Sequence, residues 1–213
     1  MSIKLVIFDL DGTLIDSLKD ITAALNHATA PYGIEEKSVR GMGDLLGTGI
    51  SILIDRVLGD ERGRLKEEVL ARFMDYYAAH LVVFTSVYPG VRETLDRLGR
   101  YKKAVITNKR EQFAKIALNE LGIGSYFDSI LGSDSVAEKK PSPLPVLHLL
   151  DLYKLNPSDA VMVGDSEIDI AAGKGAGVRT VAVTYGYRER DALEGADFII
   201  DDIGELAGVI EGI

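Results

Sequence analysis

Residues 4–17 read KLVIFDLDGTLIDS. Leu5, Val6, Ile7 and Phe8 form an unbroken apolar run; Asp9 and Asp11 then follow two positions apart, just before Gly12. A short apolar run closed by a turn signal predicts a strand buried on both faces, as in a parallel sheet. Carboxylates at the end of such a strand are costly unless something partners them. The question for the rest of the chain is therefore what that partner is.

Similar short apolar strands are predicted at 3–8, 103–107, 128–131, 160–163, 179–183 and 197–200, separated by longer amphipathic stretches. Alternation of buried strands with helices predicts an α/β fold, a parallel sheet covered on both faces. The interval 16–87 breaks this rhythm and reads as helices only. Leu18, Ile21, Leu25 and Ala28 recur at helical spacing, as do Leu65, Val69, Phe73 and Tyr76. A crossover needs only about a dozen residues, so 16–87 is read as an inserted helical lobe. The core then comprises 1–15 and 88–213, re-entered near VYPGV, where Pro89 and Gly90 punctuate the chain.

The 213 residues, 46% hydrophobic and 27% charged, can bury one core and a smaller satellite. No apolar run is long enough to span a bilayer, and the N-terminus leads into a strand rather than a signal core. A cytoplasmic protein, monomer or homodimer, is expected. The chain has no cysteine, which excludes disulfides, thiolate ligands and a Cys nucleophile. A net charge of −9 argues against nucleic-acid or anionic-membrane partners, which recruit clustered Lys and Arg.

Ligands of open parallel sheets bind at the carboxyl ends of the strands. Asp9 and Asp11 follow the first strand, Thr107 and Asn108 close the second in AVITNK, and Gly164, Asp165 and Asp169 follow a later one in VMVGDSEIDI. In AEKKPSPLP, Lys139 and Lys140 precede prolines that fix the local backbone. Acids, hydroxyl, amide and lysine thus converge on one edge. That set suits phosphoryl transfer, because a phosphate approaches carboxylates only when a divalent cation and positive donors offset the repulsion. Mg²⁺, which takes hard oxygen ligands, fits Asp9 and Asp165, and no His or Cys cluster favours a softer metal. Asp9 is suited to attack phosphorus and Asp11 to move protons.

FDLDGTLIDS, ITNK, KPSP and GDSEID, in this order and spacing, resemble the four motifs of the haloacid dehalogenase superfamily of phosphatases. The resemblance implies a Rossmann-like core with an inserted helical cap domain over 16–87. It makes Asp9 nucleophile and metal ligand, Asp11 general acid/base with its backbone carbonyl on Mg²⁺, and Asp165 a further ligand. Thr107 and Lys140 would hold phosphate, Asn108 would add a donor, and Asp169 would orient the metal's water shell or the lysine. The family's lysine immediately precedes proline, which selects Lys140 over Lys139.

Each residue also has a purely structural use. Asp11–Gly12 can be a turn, Thr107 and Asn108 can cap a helix starting near Glu111, Asp16 and Ser17 can cap the first helix of the lobe, and Glu167 can be a first-turn acid favoured by the dipole. His27, His80 and His148 lack ligand spacing and receive no catalytic role.

Gly47, Thr48 and Gly49 open a helix and would offer N–H groups to a small carboxylate or hydroxyl, or form a tight interhelical turn. The glycine pair, and the tail VAVTYGYRERDALEGADFIIDDIGEL, resemble phosphoglycolate phosphatases, implying a small organic phosphomonoester, 2-phosphoglycolate first. Arg40 is a substrate-facing charge or a surface residue. The alternatives are a sugar-phosphate mutase, a pyrophosphatase or a nucleotidase of the same superfamily and, from another class, a non-enzymatic phospho-acceptor module. Dehalogenase chemistry needs neither the Asp11 acid/base nor a metal.

Overall fold

A computed structural model describes residues 3–213; Met1 and Ser2 lie outside it. Six strands pair in parallel: β1 (Leu5–Phe8), β4 (Lys102–Ile106), β5 (Ser129–Leu131), β6 (Ala160–Gly164), β7 (Arg179–Val183) and β8 (Phe198–Ile200). Their order is β5-β4-β1-β6-β7-β8, so β1 is central and the chain builds outward first on one side of it, then on the other. Phe8 stands in register with Val105 of β4 and Val163 of β6, which brings the three strand ends level. This is the predicted α/β class, and the predicted strands differ from the observed ones only by a residue or two at their ends.

The period-2 alternation of each strand divides the core. Val6, Phe8, Val105, Val161 and Val163 pack on one face, whereas Leu5, Ile7, Ala104, Ile106, Ala160 and Met162 pack on the other. The helices outside the inserted segment are α4 (Val91–Arg97), α5 (Glu111–Glu120), α6 (Leu144–Tyr153), α7 (Glu167–Gly175) and α8 (Leu206–Glu211). Helix α5 (Phe113, Ala114, Ala117, Leu118) and α8 (Leu206, Ala207, Ile210) cover the first face; α6 (Val146, Leu149, Leu150) and α7 (Ala172) cover the second. No helix among the described residues is long and apolar enough to cross a membrane.

Between β1 and β4 lies a helical segment closed at its base by a two-strand antiparallel ribbon, β2 (Ile15–Asp16) with β3 (Ser86–Val87). Two-residue strands carry no periodic signal, so sequence pattern did not mark them. The segment contains α1 (Leu18–Thr29), α2 (Ile50–Leu58) and α3 (Lys66–Ala79). Ile21, Leu25 and Ala28 are buried on α1, as its spacing predicts. On α3 the buried row is Val69, Phe73 and Tyr77, not Tyr76. An i, i+4 row continues from Phe73 to Tyr77, and Tyr76 instead sits half-buried between the rings of His27 and His80, 4.2 and 4.0 Å away.

The return of the chain from α3 is organised by one buried acid. Asp20 of α1, 2% exposed, accepts the backbone N–H groups of Val83, Phe84 and Thr85 and the Thr85 hydroxyl, at 2.7–3.1 Å. Removing this acceptor leaves several donors unsatisfied at once. Asp20→Ala is expected to lower stability by about 2–4 kcal/mol, read as a shift of the urea midpoint; a change below about 0.5 kcal/mol, the size of an ordinary surface substitution, would mean the loop is held by something else.

Candidate active site

The ends of β4, β1 and β6 carry the polar residues that the sequence pattern assigns to one edge. Asp9 follows β1, and its N–H donates to the Val163 carbonyl at 2.8 Å, which fixes the backbone at the rim. Asp165 follows β6, and Asp169 stands in the first turn of α7. One carboxylate oxygen from each of Asp9, Asp165 and Asp169 lies within 4.8 Å of the others, and all three residues are buried. Lys140 reaches this cluster from the loop before α6, its side chain 2% exposed, and its ammonium donates to Asp9 and Asp169 at 2.6 Å each.

Three acids thus gather around one lysine, which bonds to two of them. Burial, then the Asp169 charge, raise the Asp9 pKa well above the ordinary value, and Lys140 only partly opposes them. Burial and Asp169 likewise push Asp165 up to about 7, against the Tyr187 N–H and the cations Lys140 and Arg188. Burial alone would lower Lys140, but Asp169 and Asp9 outweigh it and hold the ammonium at about 12. The cluster has an excess of hard oxygen donors in a dry, negatively charged recess, the donor set that suits Mg²⁺. The residues fit such an ion.

Asp165 is positioned by close backbone approach. It accepts the Thr13 hydroxyl at 3.3 Å and the Tyr187 N–H at 2.8 Å. A Cβ on Gly12 would fall 2.3 Å from an Asp165 oxygen, and one on Gly186 would fall 2.3 Å from its Cβ. Only glycine fits at either position. Asp169 closes a capping box with Ser166, accepting that residue's hydroxyl at 2.6 Å and N–H at 3.2 Å through one oxygen while the other receives Lys140. The Asp169 carboxylate thus joins Lys140 to the first turn of α7.

The Asp11 carboxylate turns away from this cluster. It receives the Lys109 ammonium on both oxygens, at 2.5 and 2.6 Å, and the Ser17 hydroxyl at 2.5 Å. Ser17 therefore does not cap α1 through its side chain; Asp16 does so instead, accepting the Leu18 N–H at 3.2 Å. Thr107, 3% exposed, accepts the Lys109 N–H at 3.1 Å, and the α5 N-terminus takes Asp134 rather than Thr107 or Asn108 as its acceptor.

Asn108 donates to the carbonyls of Gly47 at 2.7 Å and Lys140 at 2.9 Å, so both amide hydrogens are taken by main chain. Lys139 donates to the Thr48 carbonyl at 2.7 Å, and Arg188 to the carbonyls of Gly43 and Leu46 at 2.6 Å each. Loop 43–48 of the helical segment thus presents carbonyls to three side chains of the sheet edge. Gly47 and Gly49 both adopt φ +91°, making the turn that aims them. Glu167 pairs with Arg188 at 3.1 Å, and Arg40 stands exposed on a short 3-10 turn, outside the cavity lining.

A cavity of about 240 Å³ lies between these parts. Asp9, Asp11, Thr107, Asn108, Lys109 and Lys139 form its polar floor; Leu46, Ile50, Leu53, Leu70, Phe73 and Tyr77 are among the side chains that roof it. Sequence reasoning assigned no role to Lys109, Tyr77 or Arg188, and gave Ser17 only that of a helix cap. Lys109 alone carried a usable signal, since the buried-strand argument demanded a cation for Asp11 as well as for Asp9.

Residues 6–183 match the family model of the haloacid dehalogenase-like hydrolases. The chain belongs to this family. Phosphoglycolate phosphatase of Aquifex aeolicus is 41% identical over 86% of this chain and 86% of its own length, and that of Neisseria meningitidis is 40% identical over 99% and 94%. A crystal structure from Haemophilus somnus, described as a predicted phosphoglycolate phosphatase, superposes with TM-score 0.91 at 32% identity, covering 98% of both chains. Within the family, this protein is a phosphoric monoester hydrolase.

The crowding of acids sets a pH dependence. Asp165 stands at about 7 when folded, against about 4 in an unfolded chain. Its contribution to stability is full below the unfolded value and is lost as pH rises through the folded one. In EDTA, Asp165→Asn should therefore gain in Tm on the parent protein as pH rises from about 4 to about 7, and keep that gain above it. Mg²⁺ should restore the parent, by about 2.7 kcal/mol at a hundredfold excess over Kd, and do little for the variant. Parallel Tm curves for the two proteins would exclude this account of the cluster.

Proposed function

We propose that the enzyme hydrolyses a small organic phosphomonoester, 2-phosphoglycolate, by way of an aspartyl-phosphate on Asp9. The observation that carries this reading is the meeting of Asp9, Asp165, Asp169 and Lys140 at the ends of adjacent strands, beside a cavity of small-metabolite size. Substrate identity draws on the names of the relatives, which cover nearly the whole chain.

In this reading Asp9, Asp165 and the Asp11 carbonyl would hold Mg²⁺, which when bound neutralises phosphate charge and orients its oxygens. A carboxylate oxygen of Asp9 attacks phosphorus in line with the departing alcohol. Lys140 and the Thr107 hydroxyl receive phosphoryl oxygens; Asn108, whose side-chain donors are engaged, contributes through its main chain and braces the Lys140 loop. Asp169 keeps the ammonium of Lys140 aimed at the site. Asp11 protonates the leaving oxygen and then takes a proton from the water that attacks the phospho-Asp9. Residues 16–87 act as the cap domain over the core of 1–15 and 88–213, the apolar roof excluding bulk water during the phosphoenzyme's lifetime.

Phosphate release should be decisive. With Mg²⁺, 2-phosphoglycolate is expected to exceed sugar phosphates, nucleotides and pyrophosphate in kcat/KM, and steady release of inorganic phosphate separates an enzyme from a phospho-acceptor module. Asp9→Asn should abolish turnover and acid-stable label on the protein alike, a loss of at least about 10³-fold. Labelled phosphoprotein forming in that variant would reassign the nucleophile.

A further inference from the structure

The mechanism leaves Lys109 without a task, although it is the most tightly held cation in the cavity. Its side chain is 5% exposed and its ammonium spans both oxygens of Asp11. Its far side faces the ring of Tyr77 from α3, 5.4 Å from the centroid. Tyr77 is 3% exposed and lines the same cavity, yet its hydroxyl has no hydrogen-bond partner. Lys109 lies close enough to act on the Tyr77 phenol, although no hydrogen bond of ordinary geometry joins them. Burial pushes the Tyr77 phenol up to about 12 even with Lys109 opposing it, so it remains a donor at neutral pH. An ammonium beside a buried hydroxyl that lacks a well-formed hydrogen bond, on one cavity wall, is a recess for an anion.

The position of that recess identifies the anion. Asp11 is the proposed proton donor to the leaving oxygen, so a group touching Asp11 lies within a bond or two of that oxygen once substrate is bound. A carboxylate on the adjacent carbon of the leaving alcohol would arrive beside Lys109.

We propose that Lys109 and Tyr77 form a second anion subsite, which takes the carboxylate of the leaving group. This inference rests on the phosphomonoester reading above and extends it to the determinant of specificity. Lys109 keeps its protons throughout and exchanges one carboxylate partner for another. A substrate without the second anion forgoes these contacts and is bound more weakly.

The test compares 2-phosphoglycolate with ethyl phosphate, which has the same ester but no carboxylate. The parent enzyme should favour phosphoglycolate strongly in kcat/KM. Lys109→Met should shrink that preference by about 10- to 100-fold, Lys109→Arg should retain most of it, and Tyr77→Phe should shrink it by about 3- to 10-fold. Tyr77→Phe keeps the ring over Lys109 and carries the test if Lys109→Met does not fold. An unchanged preference in the variants, or equal losses on both substrates, overturns the subsite while leaving the substrate reading intact. A parent enzyme indifferent to the carboxylate overturns both.

Discussion

The buried ammonium of Lys140 is the contact on which the site depends. It bonds to Asp9 and Asp169 at 2.6 Å each, with Asp165 in the same cluster, and among the described residues no other cation pairs with Asp9 or Asp169. Removing one partner of such a group leaves an uncompensated buried charge, commonly several kcal/mol. The shared lysine nevertheless falls short of balancing three carboxylates, and the raised pKa values of Asp9 and Asp165 record the deficit. A divalent cation is what the imbalance calls for. Stability and function pull in opposite directions here, as expected where a fold carries chemistry.

A second constraint joins the helical segment to the sheet. The carbonyls of Gly43, Leu46, Gly47 and Thr48 each receive a side chain from the sheet edge: Arg188, Asn108 or Lys139. Asn108 also donates to the Lys140 carbonyl, so one side chain ties loop 43–48 to the backbone of the buried lysine. Beside these polar contacts runs an apolar one, the Tyr77 ring of α3 meeting Phe113 of α5 edge-on at 5.6 Å. The Asp20 clasp on residues 83–85 anchors the other end of the segment, next to the β2–β3 ribbon.

Much of this was readable in the chain, for specific reasons. The strands are uniform apolar runs because both faces of a parallel sheet are buried, and that made their number and order of appearance plain. Asp9, Thr107 and Asp165 declared themselves by standing one residue beyond such runs. Lys140 was separable from Lys139 only through the motif, since adjacent lysines look alike until one of them is enclosed. Ser17 and Asp11 misled differently: a serine before a helix reads as a cap, yet its hydroxyl goes to Asp11 instead. Local preference lost there to a neighbour six residues away that the turn at Gly12 folds back.

By itself the sequence determined the class of fold, the edge at which polar groups gather and the kind of chemistry they suit, because these follow from periodicity and from the position of acids at strand ends. Only the tertiary structure decided which charges pair. Lys109 with Asp11, Lys140 with Asp9 and Asp169, and Tyr187 with Asp165 join residues separated by 22 to 131 positions. Such pairings depend on strand order, on the close approach that Gly12 and Gly186 permit, and on how loop 43–48 lies over the edge. Electrostatic energy falls with distance in space, and no periodicity along the chain encodes that distance.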